Sequence, residues 1–339
     1  MRYFFILNPG SKAGSSRRLF DKIFNILDKA EIKYDYRITA SLEDAYSFSK
    51  TANTEGYDVI AAVGGDGTIN RVLSGFFHSD GTRISNAKMG VVYTGTSPDF
   101  CKSYGIPTDV EKAVKVLIEN SSRRIEVGKI ILARSFIKDY EGKPVDSSQI
   151  FDARYFACCA NIGLGAALAR RANSGVRGIV GDYAGTFIAL LKTLFYYRPC
   201  DFQVIADGKH ERLQRVHNIS IGRTFYIASG IKVKNDIKQN DGRFYRLTVK
   251  NMRLWNCLST IYKVYSGKQI EDDGILALDY IKKIDVLGNN NNPEVEFDGD
   301  PGGFLPCSIE IASNSLELIC EKSWAENENL EEKITLRNI

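Results

Sequence analysis

Among the 339 residues, the run Gly64-Gly65-Asp66-Gly67-Thr68 concentrates the residue types best suited to chemistry. Three glycines in four positions free the backbone for unusual dihedrals and let another group come close. The short apolar run Asp58–Val63 just before it reads as a buried strand. After it, Ile69, Val72, Leu73 and Phe76 recur at helical spacing, with Thr68 placed to cap a helix that starts at Ile69. A strand, a glycine turn and a helix N-terminus make an anion site, because free N–H groups and the helix dipole point at the ligand. Asp66 would repel a bare phosphate, so its place in the turn predicts a divalent cation between carboxylate and phosphate. The run lacks the lysine of the Walker loop and the G-x-G-x-x-G of the dinucleotide fold.

The elements that must hold this turn alternate. Strands are read at Tyr3–Leu7, Tyr34–Thr39, Asp58–Val63 and Lys88–Thr94. Helices are read at Arg17–Ala30, at Leu42–Asn53 behind a Ser41 cap, and at Val110–Ile118. Such alternation predicts an α/β class with a doubly wound parallel sheet over residues 1–122. Ligands of such sheets sit at the C-terminal ends of the strands. There the turn-rich loops at 8–14, 39–41, 64–68 and 94–99 would gather.

Past residue 122 the pattern changes. Strands read at Arg124–Ala133, Tyr155–Asn161, Phe202–Ile205, Val216–Ile221, Arg246–Val249, Gly274–Tyr280 and Ser308–Ile311 mostly have no helices between them. They predict a second, antiparallel β-rich domain, a sandwich or barrel, over 123–314. Asp182–Tyr197 reads as its one clear helix, 134–150 as a long exposed loop, and Asn289–Asn292 as a polar turn. Leu316–Ile319 reads as a last strand returning, with the segment 315–339, to the first domain.

Composition excludes several classes. A net charge of +4 is too small to argue nucleic-acid binding, yet is compatible with contact at an anionic membrane surface. Seven scattered cysteines without metal spacing predict reduced thiols and a cytoplasmic protein. Three histidines argue against a histidine metal site or a Ser-His-Asp triad. The apolar run near the start stops at Asn8-Pro9, too short for a signal segment, and no stretch approaches a membrane span.

Gly64–Thr68 resembles the GGDGT signature shared by diacylglycerol, sphingosine and NAD kinases and phosphofructokinases. Three further segments resemble the bacterial diacylglycerol kinase-like lipid kinases in order and spacing. They are Asn8-Pro-Gly-Ser11, then Gly95-Thr-Ser-Pro-Asp-Phe100 with Gly105-Ile-Pro107, and Asp298-Gly299-Asp300 where the family has Asp-Gly-Glu. The resemblance implies an ATP- and Mg²⁺-dependent lipid kinase that takes its acceptor hydroxyl from the inner membrane surface at a cleft between two domains. It implies nucleotide contacts from Asn8, Ser11, Thr39, Gly64, Gly65, Asp66, Gly67, Thr68, Asn70, Gly95 and Thr96, with Lys12 able to close over the phosphates. Asp66 and Asp300 would be the catalytic acids, Asp300 as general base and Asp298 as the fallback. Asp241, with carbonyls of Lys238 and Arg243, would hold a magnesium ion away from the chemistry. A homodimer and a peripheral membrane contact are compatible with this reading; nucleic acid is not expected as a partner. Two residues depart from the family pattern: Pro98 where an Asn is usual, and Arg71 where a Glu is usual. The alternatives are a soluble-substrate kinase of the NAD kinase type and a nucleotide-binding regulatory protein without turnover.

Overall fold

The computed structural model describes residues 1–132, 152–171, 197–227, 230–238, 240–287 and 293–326. The loop read at 134–150, the helix read over Asp182–Tyr197 as far as residue 196, the turn at 289–292 and the chain beyond 326 lie outside the described residues. Two compact units are formed. One takes in Met1–Val127, Lys238–Asn240 and the chain from Ala312; the other takes in Gly128–Ile237 and Asp241–Ile311.

The first unit is built on β1 (Tyr3–Leu7), β2 (Tyr34–Ile38), β3 (Val59–Gly64) and β4 (Lys88–Tyr93), all parallel, in the order β2-β1-β3-β4. Every residue of β1 and β3 is buried, as expected for strands covered on both faces. The register sets Leu7 beside Val63, and Gly64 beside Tyr93. The C-terminal ends of these three strands are therefore level, and their outgoing loops emerge side by side. The sheet is completed by β5 (Ser122–Ile125) and by a strand from the far end of the chain, Leu316–Ile319, which lies between β4 and β5.

The helices of this unit follow local capping rules. Helix α1 (Phe20–Lys29) buries Phe20, Ile23 and Leu27; the Arg17–Ala30 span also includes the end of a 3₁₀ segment, Ser11–Leu19, that precedes it. Helix α2 (Leu42–Thr54) begins in a capping box, where Ser41 Oγ accepts the Asp44 amide at 3.2 Å and the Asp44 carboxylate accepts the Ser41 amide at 2.8 Å. Helix α3 (Asp66–Ser74) starts three residues before the expected Ile69, with Gly65 as its N-cap. Thr68 is thus not a cap: it lies inside the first turn and is buried. A short helix α4 (Asp99–Ser103) has Pro98 at its N-cap, and α5 (Val110–Glu119) is capped by Asp109.

The second unit is an eleven-stranded antiparallel sheet that branches at one long strand. Two stretches that read as single strands are each divided. The Arg124–Ala133 run is β5, which ends at Ile125 in the first sheet, followed by β6 (Gly128–Leu132) in the second. The Tyr155–Asn161 run falls across β7 (Asp152–Phe156), a turn at Ala157-Cys158, and β8 (Cys159–Gly163). After β9 (Cys200–Ala206) comes β10 (Lys209–Gly222). It pairs β9 along its first half and β8 along its second, with register shifts near Arg215, which has φ 51°. Such bulges bend a strand and let it change neighbours. The sheet's apolar residues, among them Phe156, Phe202, Ile219, Phe244 and Phe297, gather in one buried core. This is the curled, β-rich second domain expected from the sequence. It contains two helices not foreseen there, α6 (Leu164–Arg171) and α7 (Leu254–Ser266).

Candidate active site

The level strand ends bring the N-terminal candidate residues together. Asn8 leaves β1 with its amide bonded to the Val63 carbonyl at 2.9 Å. Its side-chain nitrogen donates to Thr68 Oγ1 at 2.8 Å, and its side-chain oxygen accepts the Gly10 amide at 2.9 Å. Ser11 Oγ donates to the Thr94 carbonyl at 2.9 Å, tying the first loop to the end of β4. Thr39, from the neighbouring β2 end, donates its hydroxyl to Leu7 O at 3.3 Å. Asn70 is buried in the second turn of α3, and Thr96 is exposed on the β4–α4 loop. The side chain of Lys12 lies outside the described part of the structure.

The glycines have a packing role that the sequence did not show. A Cβ on Gly64 would lie 2.4 Å from Thr68 Oγ1. One on Gly95 would lie 2.6 Å from Tyr93 Oη and 2.8 Å from the Gly65 Cα. The loops after β3 and β4 therefore meet backbone to backbone, and bare Cα atoms are what allow it. The result is a cradle of main chain at the start of α3, where amides of a helix first turn have no intrahelical acceptor. No side chain caps Gly65, and a helix start of this kind suits an anion.

Asp66 is the first residue of that helix and is half-buried. Tyr93 Oη donates to Asp66 Oδ2 at 3.2 Å. Burial, with the Asp66 charge beside it, pushes the Tyr93 hydroxyl far above its ordinary value, so it stays a donor at any physiological pH. Nothing in the sequence flagged Tyr93, which reads only as the end of an apolar strand. One fixed carboxylate beside a phosphate cradle is the donor set magnesium uses when substrate phosphates complete its coordination. At this position the residues fit the ion. Arg71, the charge-reversed position, faces Glu43 across 3.9 Å on the flank of α3.

In the second unit the candidate residues divide differently. Asp298 and Gly299, at φ 50° and 87°, form a two-residue turn between Phe297 and Asp300, which pair across the hairpin. The Asp298 carboxylate accepts the amides of Ala157, Cys158 and Cys159 at 2.8, 2.9 and 3.1 Å. It is the clamp of the β7–β8 turn. Asp300 opens the next strand, Asp300–Phe304; its side chain lies outside the described part. Glu296, almost fully buried, was missed in the sequence. Its carboxylate accepts the Gly299 amide at 2.9 Å and the Asn161 side-chain amide. Asn161 Oδ1 in turn accepts from Ser220 Oγ at 2.5 Å and Asn218 Nδ2 at 3.2 Å. No signal in the sequence marked it: Glu294 and Glu296 stand two apart on one strand, where alternation gives them the same face, yet Glu294 is half-buried and Glu296 buried.

The magnesium set of Asp241, Lys238 and Arg243 does not fit the geometry. Arg223, its side chain only 8% exposed, reaches Asp241 Oδ1 at 3.5 Å and donates to the Arg243 carbonyl. Arg243 places its own Nη2 and Nε on Asp241 Oδ2, at 3.0 and 3.2 Å. Two oxygens expected on a cation are thus held by guanidinium groups, which supply the positive charge there. Among the described residues, no group of three or more acidic, Cys or His residues could hold a metal. With guanidinium groups on the Asp241 carboxylate and the Arg243 carbonyl, chelation by EDTA should leave the melting temperature unchanged. Arg223→Gln should destabilise by about 1–3 kcal/mol, less than the ~3–5 kcal/mol of a broken lone buried pair, because Arg243 still neutralises Asp241. Thermal melts with and without magnesium decide it; a melting point that rises with magnesium in the unaltered protein would restore the metal site.

Two family models match the chain in succession: the diacylglycerol kinase catalytic domain over residues 2–130, and the YegS C-terminal NAD kinase beta sandwich-like domain over 159–320. Across both matched segments the chain resembles the diacylglycerol kinase-like family. The diacylglycerol kinase of Staphylococcus carnosus (strain TM300) is 24% identical, over 96% of this chain and 97% of that protein. That of Bacillus subtilis (strain 168) is also 24% identical, over 95% and 97%. A solved diacylglycerol kinase structure from Bacillus anthracis str. Sterne superposes with a TM-score of 0.64 at 18% identity, covering 95% of this chain and 97% of that one. An NAD kinase from Archaeoglobus fulgidus, solved in complex with ATP, superposes with a TM-score of 0.50 at 12% identity, each chain covered in full. The two solved structures establish the fold.

Proposed function

We propose that this diacylglycerol kinase-like protein transfers the γ-phosphoryl group of ATP to the hydroxyl of diacylglycerol or a related lipid. The observation that carries the proposal is the capless, amide-lined start of α3, with one fixed carboxylate in its first turn. The full-length likeness to curated diacylglycerol kinases supports the lipid acceptor.

In this reading residues 1–122, with the returning segment from about 315, bind the nucleotide, and residues 123–314 take the acceptor. The amides from Gly65 to Thr68 receive phosphate oxygens, and Asn8 fixes the Thr68 hydroxyl that faces them. Ser11, Thr39, Asn70, Gly95 and Thr96 shape the rest of the nucleotide site. Asp66 would hold magnesium together with the nucleotide, and the ion would supply charge neutralisation for the phosphates. Asp300 takes the proton of the lipid hydroxyl. The protein works at the cytoplasmic face of the membrane. No helix among the described residues is long and apolar enough to cross a bilayer. All seven cysteines are buried and unbonded.

The test is incubation with γ-labelled ATP, magnesium and a total lipid extract, in parallel with NAD. Label in a phosphatidic-acid-like product is the expected result. Label in NADP would establish the soluble-substrate reading, and nucleotide binding without transfer to either acceptor would establish the regulatory one.

A further inference from the structure

Helix α7 sorts its side chains in reverse. Its inward residues are Cys257, Thr260 and Val264, all buried. Its larger apolar residues face water: Trp255 is 77% exposed, Leu258 65%, Tyr262 65% and Tyr265 36%. At about 100° per residue these four fall within an arc of about 80°, opposite the buried three. Polar residues would ordinarily occupy that side of a helix. A single exposed leucine would mean little, but a stripe of one leucine and three aromatics is a surface meant to be covered.

Its chemistry selects the cover. Tryptophan and tyrosine, each an apolar ring with a polar edge, are the residues enriched where a bilayer meets water. The helix and its flanks carry only cations up to Ile270, and the exposed acidic run Glu271-Asp272-Asp273 follows. From Phe244 to Ile270 there are five Lys and Arg and no Asp or Glu. Arg246 is buried, bonded to Glu211 and Asp279, and Lys263 pairs with Asp273 at 2.5 Å. Arg253, at the helix N-terminus, lies over the Trp255 ring with Cζ 5.1 Å from its centroid, and is exposed. Lys268, just past the C-terminus, is exposed too. An apolar stripe with a cation at each end matches acyl chains below anionic headgroups. A second copy of the chain is a poorer match. Taking ~200 Å² per aromatic side chain, the stripe presents on the order of 500 Å², short of the ~800 Å² each partner brings to a standard interface.

We propose that the Trp255-Leu258-Tyr262-Tyr265 face of α7, with Arg253 and Lys268 at its ends, docks the protein on an anionic phospholipid bilayer. It names the surface by which the lipid kinase proposed above would reach its substrate, and it rests on that reading only for the activity arm of the test.

The full chain is mixed with vesicles of phosphatidylcholine containing phosphatidylglycerol, and with phosphatidylcholine alone. The other tryptophan, Trp324, is buried, so the emission of Trp255 reports the environment of this face. A blue shift and co-sedimentation are expected with phosphatidylglycerol, weakening as salt is raised. Trp255→Ser combined with Leu258→Ser and Tyr262→Ser should lower co-sedimentation on the order of a hundredfold, with an unchanged melting temperature because all three are exposed. Arg253→Gln with Lys268→Gln should remove the preference for phosphatidylglycerol. Vesicles that leave Trp255 emission unchanged would overturn the proposal. So would a dimer in solution that the serine variant dissolves. In the activity arm, the serine variant should lose activity on vesicle-borne diacylglycerol and keep it on a short-chain diacylglycerol in detergent. If no phosphate is transferred in either presentation while the vesicle shift remains, the kinase reading fails and the docking surface stands.

Discussion

Asp66→Asn is expected to lower phosphoryl transfer by at least about 10²-fold while leaving the fold intact, the scale set by losing a charge that organises a metal and its phosphates. Asparagine is the informative replacement here. Tyr93 donates to Asp66 Oδ2, and Tyr93 is buried. Alanine would leave that hydroxyl without its acceptor, a cost of about 1–3 kcal/mol that would confuse stability with chemistry. Asparagine keeps an acceptor oxygen at the same place and loses only the charge. It also loses a favourable charge at a helix N-terminus, worth about 0.3–1 kcal/mol. The melting temperature should therefore fall by a few degrees at most, while turnover collapses. ATP affinity measured without magnesium should change little or rise, since a negative charge has left the phosphate site. Near-normal rates would remove Asp66 from the mechanism. A large melting drop would make it a structural residue of the β3–α3 turn.

The sequence revealed this site because its strands are buried on both faces. Tyr3–Leu7 and Val59–Gly64 are continuous apolar runs, and such runs followed by glycine or proline leave little choice but a parallel sheet with loops at one end. The start of α3 was misplaced by three residues because Asp66 and Gly67 interrupt the apolar periodicity that marks a helix. Helix α7 was missed for the opposite reason. Its apolar residues lie on both faces, so no single stripe stands out, and Thr260, Ile261 and Val264 are branched residues that favour strands. The split of 124–133 between two sheets could not be read, since an apolar run does not say which sheet each residue joins. Nor could Arg223: it meets Asp241 from a strand end 18 positions away, and pairings at that distance leave no local trace.

The Asp298–Asp300 hairpin shows where geometry changes the experiment. On sequence, either acid was a candidate base. Asp298 now has its carboxylate committed to three backbone amides, which makes it a structural acceptor of the β7–β8 turn. Asp298→Asn can offer one acceptor oxygen where two were used. It should cost roughly 1–3 kcal/mol of stability, and any loss of activity should track the loss of folded protein. Asp300→Asn should behave differently. Its place in the hairpin is set by backbone: by the turn at Asp298-Gly299, by pairing opposite Phe297, and by Glu296 on the Gly299 amide. None of these needs the Asp300 carboxylate. The variant should melt like the parent, bind ATP like the parent, and lose about 10² to 10⁴ in single-turnover transfer, the usual share of general-base catalysis. Asp300→Glu tests reach. It lengthens the side chain by one methylene to the acid that the family carries there, so activity near the parent's would mean the acceptor tolerates either position. A further loss would mean that the acceptor sits to suit the shorter acid, where a displacement of an ångström is costly. Glu296→Gln completes the set: it keeps an acceptor for Gly299 but weakens it, and should slow transfer while Asp300 remains. Full activity in Asp300→Asn, at parental stability, would place the base elsewhere in the chain.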